Sequence, residues 1–270
     1  MLKQRVITAI ILVTFFLLAV FYLPEQAWTL LMAAVICQGA MEWARLSKMT
    51  IHVAILYSVA TVLLLLGTLW LDMANAELPY LFWYIASLVF WVFVVPAWMK
   101  GNWRTQNPIL MSLVGWIVLL PTGLAMIELR EQGVWVLLGA MATVWIADIA
   151  AYFSGRKFGK HKLAPSISPG KTWEGVLGAM IVVSIYVLLV GFAIDAFKNI
   201  QLLLGIIVAS WCWVGLAVIG DLFESAIKRQ AGVKDSGAIL PGHGGLLDRI
   251  DALTSTLPIV ALLLILQKLL

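Results

Sequence analysis

The chain has 270 residues, a formal net charge of +4, 63% hydrophobic residues and only 12% charged ones, with a mean hydropathy of +1.00. A soluble domain carries about 25% charged and about 45–50% apolar residues, so a soluble globular fold is excluded and lipid must solvate much of the surface. Cys37 and Cys212 each stand alone in an apolar run, which excludes a disulfide framework and a paired cysteine metal site.

A membrane helix needs about 17–25 predominantly apolar residues. Such runs fall, in chain order, near 6–23, 27–43, 51–71, 79–99, 109–127, 133–153, 175–194, 200–220 and 253–269. This pattern predicts an all-α integral membrane protein of about nine transmembrane helices. The first run follows Lys3, Gln4 and Arg5 and no small-residue cleavage site comes after it. It reads as a retained helix, not a signal peptide. With the N-terminus cytoplasmic, the inner segments hold fifteen of the eighteen Lys and Arg residues, and the outer side holds only Arg130, Lys198 and Lys268. Glu25, Asp72, Glu77, Glu128, Glu131 and Asp195 fall outside instead. The asymmetry obeys the positive-inside rule and fixes the expected orientation.

Residues 1–130 have short loops and scarcely a polar residue within a span, Glu42 lying nearest to one. They are expected to form a helical scaffold. Residues 131–270 carry two long polar connections, 154–174 and 221–252, both on the expected cytoplasmic side, and are expected to form the catalytic region. Charge beside a bilayer is costly, so dense polar clusters there mark function by default.

Asp148 sits in the sixth apolar run, four residues before Tyr152 and on the same helix face. An unpaired carboxylate at the helix centre costs about 2.5–3.5 kcal/mol, so Asp148 is expected to face the bundle interior. A metal ligand or substrate-facing acid is one reading; a hydrogen-bond partner for a neighbouring helix is the other. In the connection that follows, Pro165, Pro169 and Gly170 exclude a continuous helix. Gly170-Lys171-Thr172 resembles the end of a nucleotide-binding phosphate loop. Pro165 stands at its first glycine position and no strand is expected beside it, so that reading is rejected. Ser166, Ser168, Lys171 and Thr172 remain, just before a helix whose N-terminal amides favour phosphate oxygens. The competing account is a basic loop with Ser168 or Thr172 as a helix cap.

The eighth run leads into Asp221, Glu224, Ser225 and Lys228, spaced to form one stripe on a helix that should continue to about Gln230. Magnesium takes one or two carboxylates and leaves its remaining positions to water and phosphate oxygens. A solvated helix face is the competing account, and it is weak for Asp221 at the hydrocarbon edge. Beyond lie Gly242, His243, Gly244 and Gly245, where glycines allow close approach to a ligand and His243 is expected to be exposed. Asp248 and Asp251 then open the last helix on one face, with Arg249 between them. Asp221 and Asp248 could bracket a metal from two helices, an arrangement suited to phosphoryl displacement. Zinc is not expected where cysteine is absent and histidine scarce.

The segment Ser225-x-Ile-Lys-Arg-x4-Lys234-Asp235-x-Gly237-x2-Leu-Pro-x-His243-Gly-Gly-x2-Asp248-Arg-Ile-Asp251 resembles the hallmark motif of the phosphatidate cytidylyltransferases, or CDP-diacylglycerol synthases. Residues 145–175 resemble that family's second characteristic region, with Gly170 where the family more often has lysine. The resemblance implies conversion of CTP and phosphatidate to CDP-diacylglycerol and pyrophosphate, with Mg²⁺, which K⁺ could accompany. It implies an enzyme of phospholipid synthesis in a bacterial inner membrane, acting at the cytoplasmic face as a homodimer, with no nucleic acid partner. Metal binding falls to Asp221 and Asp248, with Asp148 and Glu224 beside them. Asp221, Asp248, Lys228, Arg229 and His243 are the catalytic candidates. Ser166, Ser168, Lys171, Thr172, Lys234, Asp235, Gly244, Gly245, Arg249 and Asp251 are the substrate-contact candidates. A transporter would place polar residues at the bilayer midplane, often in inverted repeats, and neither is visible. A lipid enzyme using a different nucleotide would share the same metal chemistry. A non-catalytic scaffold would suit the first half of the chain, but it leaves the cost of Asp148 and Asp221 without a purpose.

Overall fold

The computed structural model describes residues 2–73, 78–193, 200–240 and 242–269. The expected outer charges at Glu77, Asp195 and Lys198 lie outside the described residues, as do the side chains of Lys3, Arg5 and Asp72. Helices α1 (Leu2–Tyr22), α2 (Glu25–Leu46) and α3 (Ile51–Met73) come first. Next, α4 (Leu78–Val89) passes through a single π-turn, Phe90–Val94, into α5 (Val95–Lys100). Helices α6 (Pro108–Gln132) and α7 (Val134–Phe158) follow, then strands β1 (Lys162–Ala164) and β2 (Ser168–Thr172), and finally α8 (Trp173–Ala193), α9 (Ile200–Ala231) and α10 (Leu247–Leu269). Among the described residues, eight helical stretches are long and apolar enough to cross a membrane, and Val6–Tyr22 is a shorter apolar ninth. The protein is an integral membrane protein.

The breaks have local causes. The π-turn lies just before Pro96, and its i→i−5 bond from Val95 N–H to the Phe90 carbonyl absorbs the disruption a proline brings to a helix. Helix α6 starts where Asn107 Oδ1 accepts from Ile109 N at 2.9 Å and Leu110 N at 3.2 Å, with Pro108 at the first helical position. Arg130, at the end of α6, donates to the Val20 and Leu23 carbonyls and lies over the Trp28 ring, tying α1 and α2 to that end.

One large apolar core joins α1–α7 to α9 and α10, and a smaller one of Ala147, Ala150, Val176, Ala179, Val183 and Val214 joins α7, α8 and α9. The outer surface is itself apolar, with Leu56, Trp70, Phe93 and Phe192 all well exposed, as contact with lipid requires. Phe223 is fully buried in an aromatic cage of Phe90, Trp91 and Trp98 at centroid distances of 5.4, 5.6 and 5.7 Å, with Trp43 stacked at 6.5 Å. The cage fixes the polar-end half of α9 immediately before Glu224.

The connection 154–174 differs from its expected loop. Helix α7 continues to Phe158, and the remainder is an antiparallel hairpin with Lys162 opposite Thr172 and Ala164 opposite Ser168. Pro165 and Pro169 are tolerated because the hairpin has only two strands and a bulge, where ladder donors are dispensable.

Candidate active site

The polar ends of α7, α9 and α10, the hairpin and the start of α8 meet at one end of the bundle. Glycines allow the approach. A Cβ on Gly178 would come within 2.0 Å of Ser154 Oγ, and one on Gly220 within 2.5 Å of Ser255 Oγ. These positions bring α7 against α8 and α9 against α10.

Two ion pairs form the centre. Lys171 Nζ, from β2, lies 2.6 Å from Asp221 Oδ2 on α9, and Asp221 Oδ1 accepts the Ser225 hydroxyl at 3.3 Å. Lys228 Nζ, from α9, lies 2.5 Å from Asp248 Oδ1 on α10 and 3.2 Å from Glu224 Oε1. Asp221, Glu224, Ser225 and Lys228 therefore share the expected stripe. The other oxygen of Asp248 accepts three donors: Ser236 N at 2.9 Å, Ser236 Oγ at 3.1 Å and Gly245 N at 2.8 Å. The Asp248 carboxylate is consequently held on one side by the loop before α10 and on the other by Lys228.

Asp148 does not pack into the bundle interior as expected. It is exposed on α7 and interacts electrostatically with Asp221 of α9 and Lys171 of β2. Asp251 accepts from Ala252 N at 2.7 Å and feels the charges of Asp221, Asp148 and Lys228. Asp148, Asp221, Glu224, Asp248 and Asp251 thus outnumber the two ammonium groups among them.

This donor set suits a hard cation. Buried Glu224 has the Lys228 ammonium 3.2 Å from its Oε1, an ammonium it shares with Asp248. Among the described residues no three His, Cys, Asp or Glu side chains form a metal cage by themselves. An ion here would take one or two carboxylates and complete its shell with water and phosphate oxygens, the habit of magnesium.

The remaining candidates divide. Thr172 is buried and its hydroxyl accepts from Gly175 N at 3.1 Å, while Trp173 N donates to the His161 carbonyl at 3.0 Å. The start of α8 is therefore capped from within, and these two amides are not free for phosphate as expected. Glu174 also turns away from the centre, 2.6 Å from His161 Nδ1. Ser168 is half-buried in β2, and exposed Ser166 lines a small cleft with Trp103, Arg104 and Arg229. Arg229 is exposed and donates to the Val233 carbonyl at 3.1 Å. Lys234, Asp235, His243, Gly244 and Arg249 line a separate neighbouring cavity of about 410 Å³. His243 is half-buried, not exposed: its N–H donates to the Leu240 carbonyl at 2.9 Å, and Leu240 N donates to the Gly244 carbonyl at 3.0 Å. Gly242 and Gly244 have φ of 76° and 82°, conformations that require glycine.

Glu42, Ser236 and Gln230 went unassigned in the sequence. Glu42 of α2 reaches the loop before α10, and Gln230 pairs with the backbone N–H and carbonyl of Thr105. A carboxylate near the end of an apolar run was the one signal that pointed to Glu42. Gly245 also serves a different neighbour from the expected ligand: a Cβ there would meet Ser236 Oγ at 2.1 Å and Glu42 Oε2 at 2.4 Å.

The profile of the cytidylyltransferase family matches residues 3–267. The chain is 36% identical over 283 residues to the phosphatidate cytidylyltransferase of Haemophilus influenzae, covering 96% of each chain. It is 39% identical over 273 residues to that of Pseudomonas aeruginosa, covering 98% of this chain and 97% of the relative. A phosphatidate cytidylyltransferase of Staphylococcus aureus is 44% identical over 138 residues, about half of each chain. With the match extending over nearly the whole length, the chain belongs to the cytidylyltransferase family.

Proposed function

We propose that this protein transfers CMP from CTP to phosphatidate, giving CDP-diacylglycerol and pyrophosphate, at the cytoplasmic face of a bacterial inner membrane. The observation that carries the reading is the paired centre, Lys171–Asp221 and Lys228–Asp248, set at one end of an apolar bundle. Phosphatidate is held in the membrane by its acyl chains, so its phosphate lies at the interface. CTP arrives from water. A centre at the polar end of membrane helices can receive both, and the excess of Lys and Arg in the same connections favours a cytoplasmic position for that end.

The phosphatidate phosphate is already an anionic nucleophile, so no serine or cysteine nucleophile is required. One of its oxygens forms a bond to the α-phosphorus of CTP. The bond from that phosphorus to the bridging oxygen breaks, and its electron pair leaves on pyrophosphate. The barrier is the meeting of two anions, and preorganised positive charge lowers it. Lys171 and Lys228 supply such charge at the centre, with Arg229, Lys234 and Arg249 around it; arginine suits bidentate phosphate contact and lysine point-charge contact. Ser166, Ser168, Asp235, His243 and Gly244 line the approaches on which the substrates are sorted. Mg²⁺ held by Asp221 and Asp248, beside Glu224 and Asp148, would neutralise phosphate oxygens, with K⁺ as an accompanying ion. Residues 131–270 carry the reaction, residues 1–130 support it, and the working form is a homodimer.

The test is a substrate panel on detergent-purified protein: phosphatidate with CTP, dCTP, ATP, GTP or UTP, with and without Mg²⁺, following pyrophosphate and liponucleotide. Mg²⁺-dependent CDP-diacylglycerol from CTP is the expected result. No product with any nucleotide, from protein shown to be folded, would overturn the reading.

A further inference from the structure

We propose that Glu42 is a positioning residue for the reaction centre, fixing the Asp248 carboxylate from the opposite half of the chain. The inference rests on the reading of Asp248 as part of that centre. Glu42 is completely buried, in a helix otherwise rich in apolar residues, and both its oxygens are fully engaged. Its Oε1 accepts from Gln38 Nε2 and from Leu246 N, both at 2.9 Å. Its Oε2 accepts from Ser236 Oγ at 2.8 Å and from Leu247 N at 3.0 Å.

Each partner outside α2 bears on Asp248. Leu246 and Leu247 present the amides at the start of α10, which a helix cannot satisfy internally, and Asp248 follows at once. Glu42 thus serves as a tertiary cap for that helix, and its negative charge lies at the positive end of the helix dipole. Ser236 is the second link. Its one hydroxyl proton can bond Glu42 Oε2 or Asp248 Oδ2, which lie 2.8 and 3.1 Å away, while its N–H holds Asp248 Oδ2. Two motif glycines are shaped to the carboxylate: a Cβ on Gly237 would lie 2.9 Å from Glu42 Oε1, and one on Gly245 2.4 Å from Oε2. Residues 236–237 and 245–247 are therefore moulded around Glu42.

Such outer-shell groups set the orientation and basicity of a ligand, and removing them costs about 10–100-fold in metal affinity or activity. Glu42→Gln keeps the shape, yet has one acceptor where four donors converge. Ser236→Ala removes the shared hydroxyl and leaves Glu42 in place. Full-length protein would be assayed for kcat and KM towards CTP and phosphatidate. Thermal unfolding of each protein would be followed across Mg²⁺ concentrations without nucleotide, since an ion that binds the folded state raises the midpoint.

The expected result for Glu42→Gln is a fall in kcat of about tenfold or more, an unchanged KM for phosphatidate, and a Mg²⁺ stabilisation curve displaced to higher concentration. Ser236→Ala should move the same two readouts in the same direction. A loss confined to the unfolding midpoint, with kcat and the Mg²⁺ curve as in the unsubstituted protein, would make Glu42 a structural brace and overturn the proposal. If Glu42→Gln does not fold, Ser236→Ala decides by the same criteria. An unsubstituted protein without activity would instead sink the functional reading on which the inference rests.

Discussion

Lys228 Nζ stands between Asp248 Oδ1 at 2.5 Å and Glu224 Oε1 at 3.2 Å, so one ammonium group balances carboxylates on two helices. Its side chain is 11% exposed, and those of Asp248 and Glu224 are 6% and 7% exposed. Little solvent is present to screen a charge left alone there. Removing one partner of a buried pair costs about 3–5 kcal/mol, so Lys228→Met should lower the unfolding midpoint and abolish turnover. Asp248→Asn should abolish turnover with a smaller loss of stability, because its amide oxygen can still accept from Ser236 and Gly245. The double variant should be more stable than Lys228→Met alone, since it removes one of the two stranded carboxylates. Thermal unfolding in detergent checks all three, and additive losses would show that the pair is not coupled.

The second pair separates function from stability. Lys171 and Asp221 have side chains 23% and 30% exposed, and pairs open to solvent contribute only about 0–1 kcal/mol. Lys171→Met and Asp221→Asn should therefore insert, fold and unfold much like the original protein while losing turnover. Wild-type rates from Asp221→Asn would remove it from the centre. A large fall in the unfolding midpoint would show the pair to be structural instead.

Gly245→Ala tests whether the motif glycines are shaped by protein or by ligand. The added methyl would lie 2.1 Å from Ser236 Oγ and 2.7 Å from Gly237 N, and backbone contacts of that kind cannot relax cheaply. Activity and stability should both fall, even with saturating CTP and phosphatidate. Gly67→Ala, on α3 with nothing within 4 Å, is the control and should be stabilising by about 0.5–1 kcal/mol as a helix-interior glycine replacement. A Gly245→Ala protein with normal stability and only a raised KM would return that glycine to ligand contact.

What the sequence discloses depends on the range of the interaction. The stripe Asp221, Glu224, Ser225 and Lys228 follows from helical spacing alone, and its observed bonds run four residues along α9. The run of α9 to Ala231 was equally legible, because the polar residues keep the helical period after the hydrocarbon ends. Glu42 shows the converse: its partners in the loop lie 194 to 205 residues away, and no local pattern pairs an acid in the second helix with amides before the tenth. The hairpin at 162–172 was hidden because Pro165, Pro169 and Gly170 are strong breakers, and a strand of three to five residues leaves no period to detect. Asp148 was placed by the cost of burying a charge, but that argument could not name its charged neighbours, Asp221 and Lys171, which lie 73 and 23 residues further along the chain.

Orientation is the expectation that the fold leaves to experiment. Ser166 is exposed in the hairpin, and Gln132 is exposed at the far end of α6. Helices α6 and α7 place these two positions at opposite ends of the bundle, since α7 runs from next to Gln132 to just before the hairpin. The background would carry Cys37→Ser and Cys212→Ser, which removes the two native thiols. A membrane-impermeant maleimide on inside-out vesicles should then label Ser166→Cys and spare Gln132→Cys, and right-side-out vesicles should reverse the result. The reason is electrostatic: Arg156, Lys157, Lys160, Lys162 and Lys171 surround the hairpin, against Arg130 alone beside Gln132, and short basic segments are retained inside. Labelling of Ser166→Cys from the outer side would put the ion-paired centre out of reach of cytoplasmic CTP and overturn the proposed topology and reaction together.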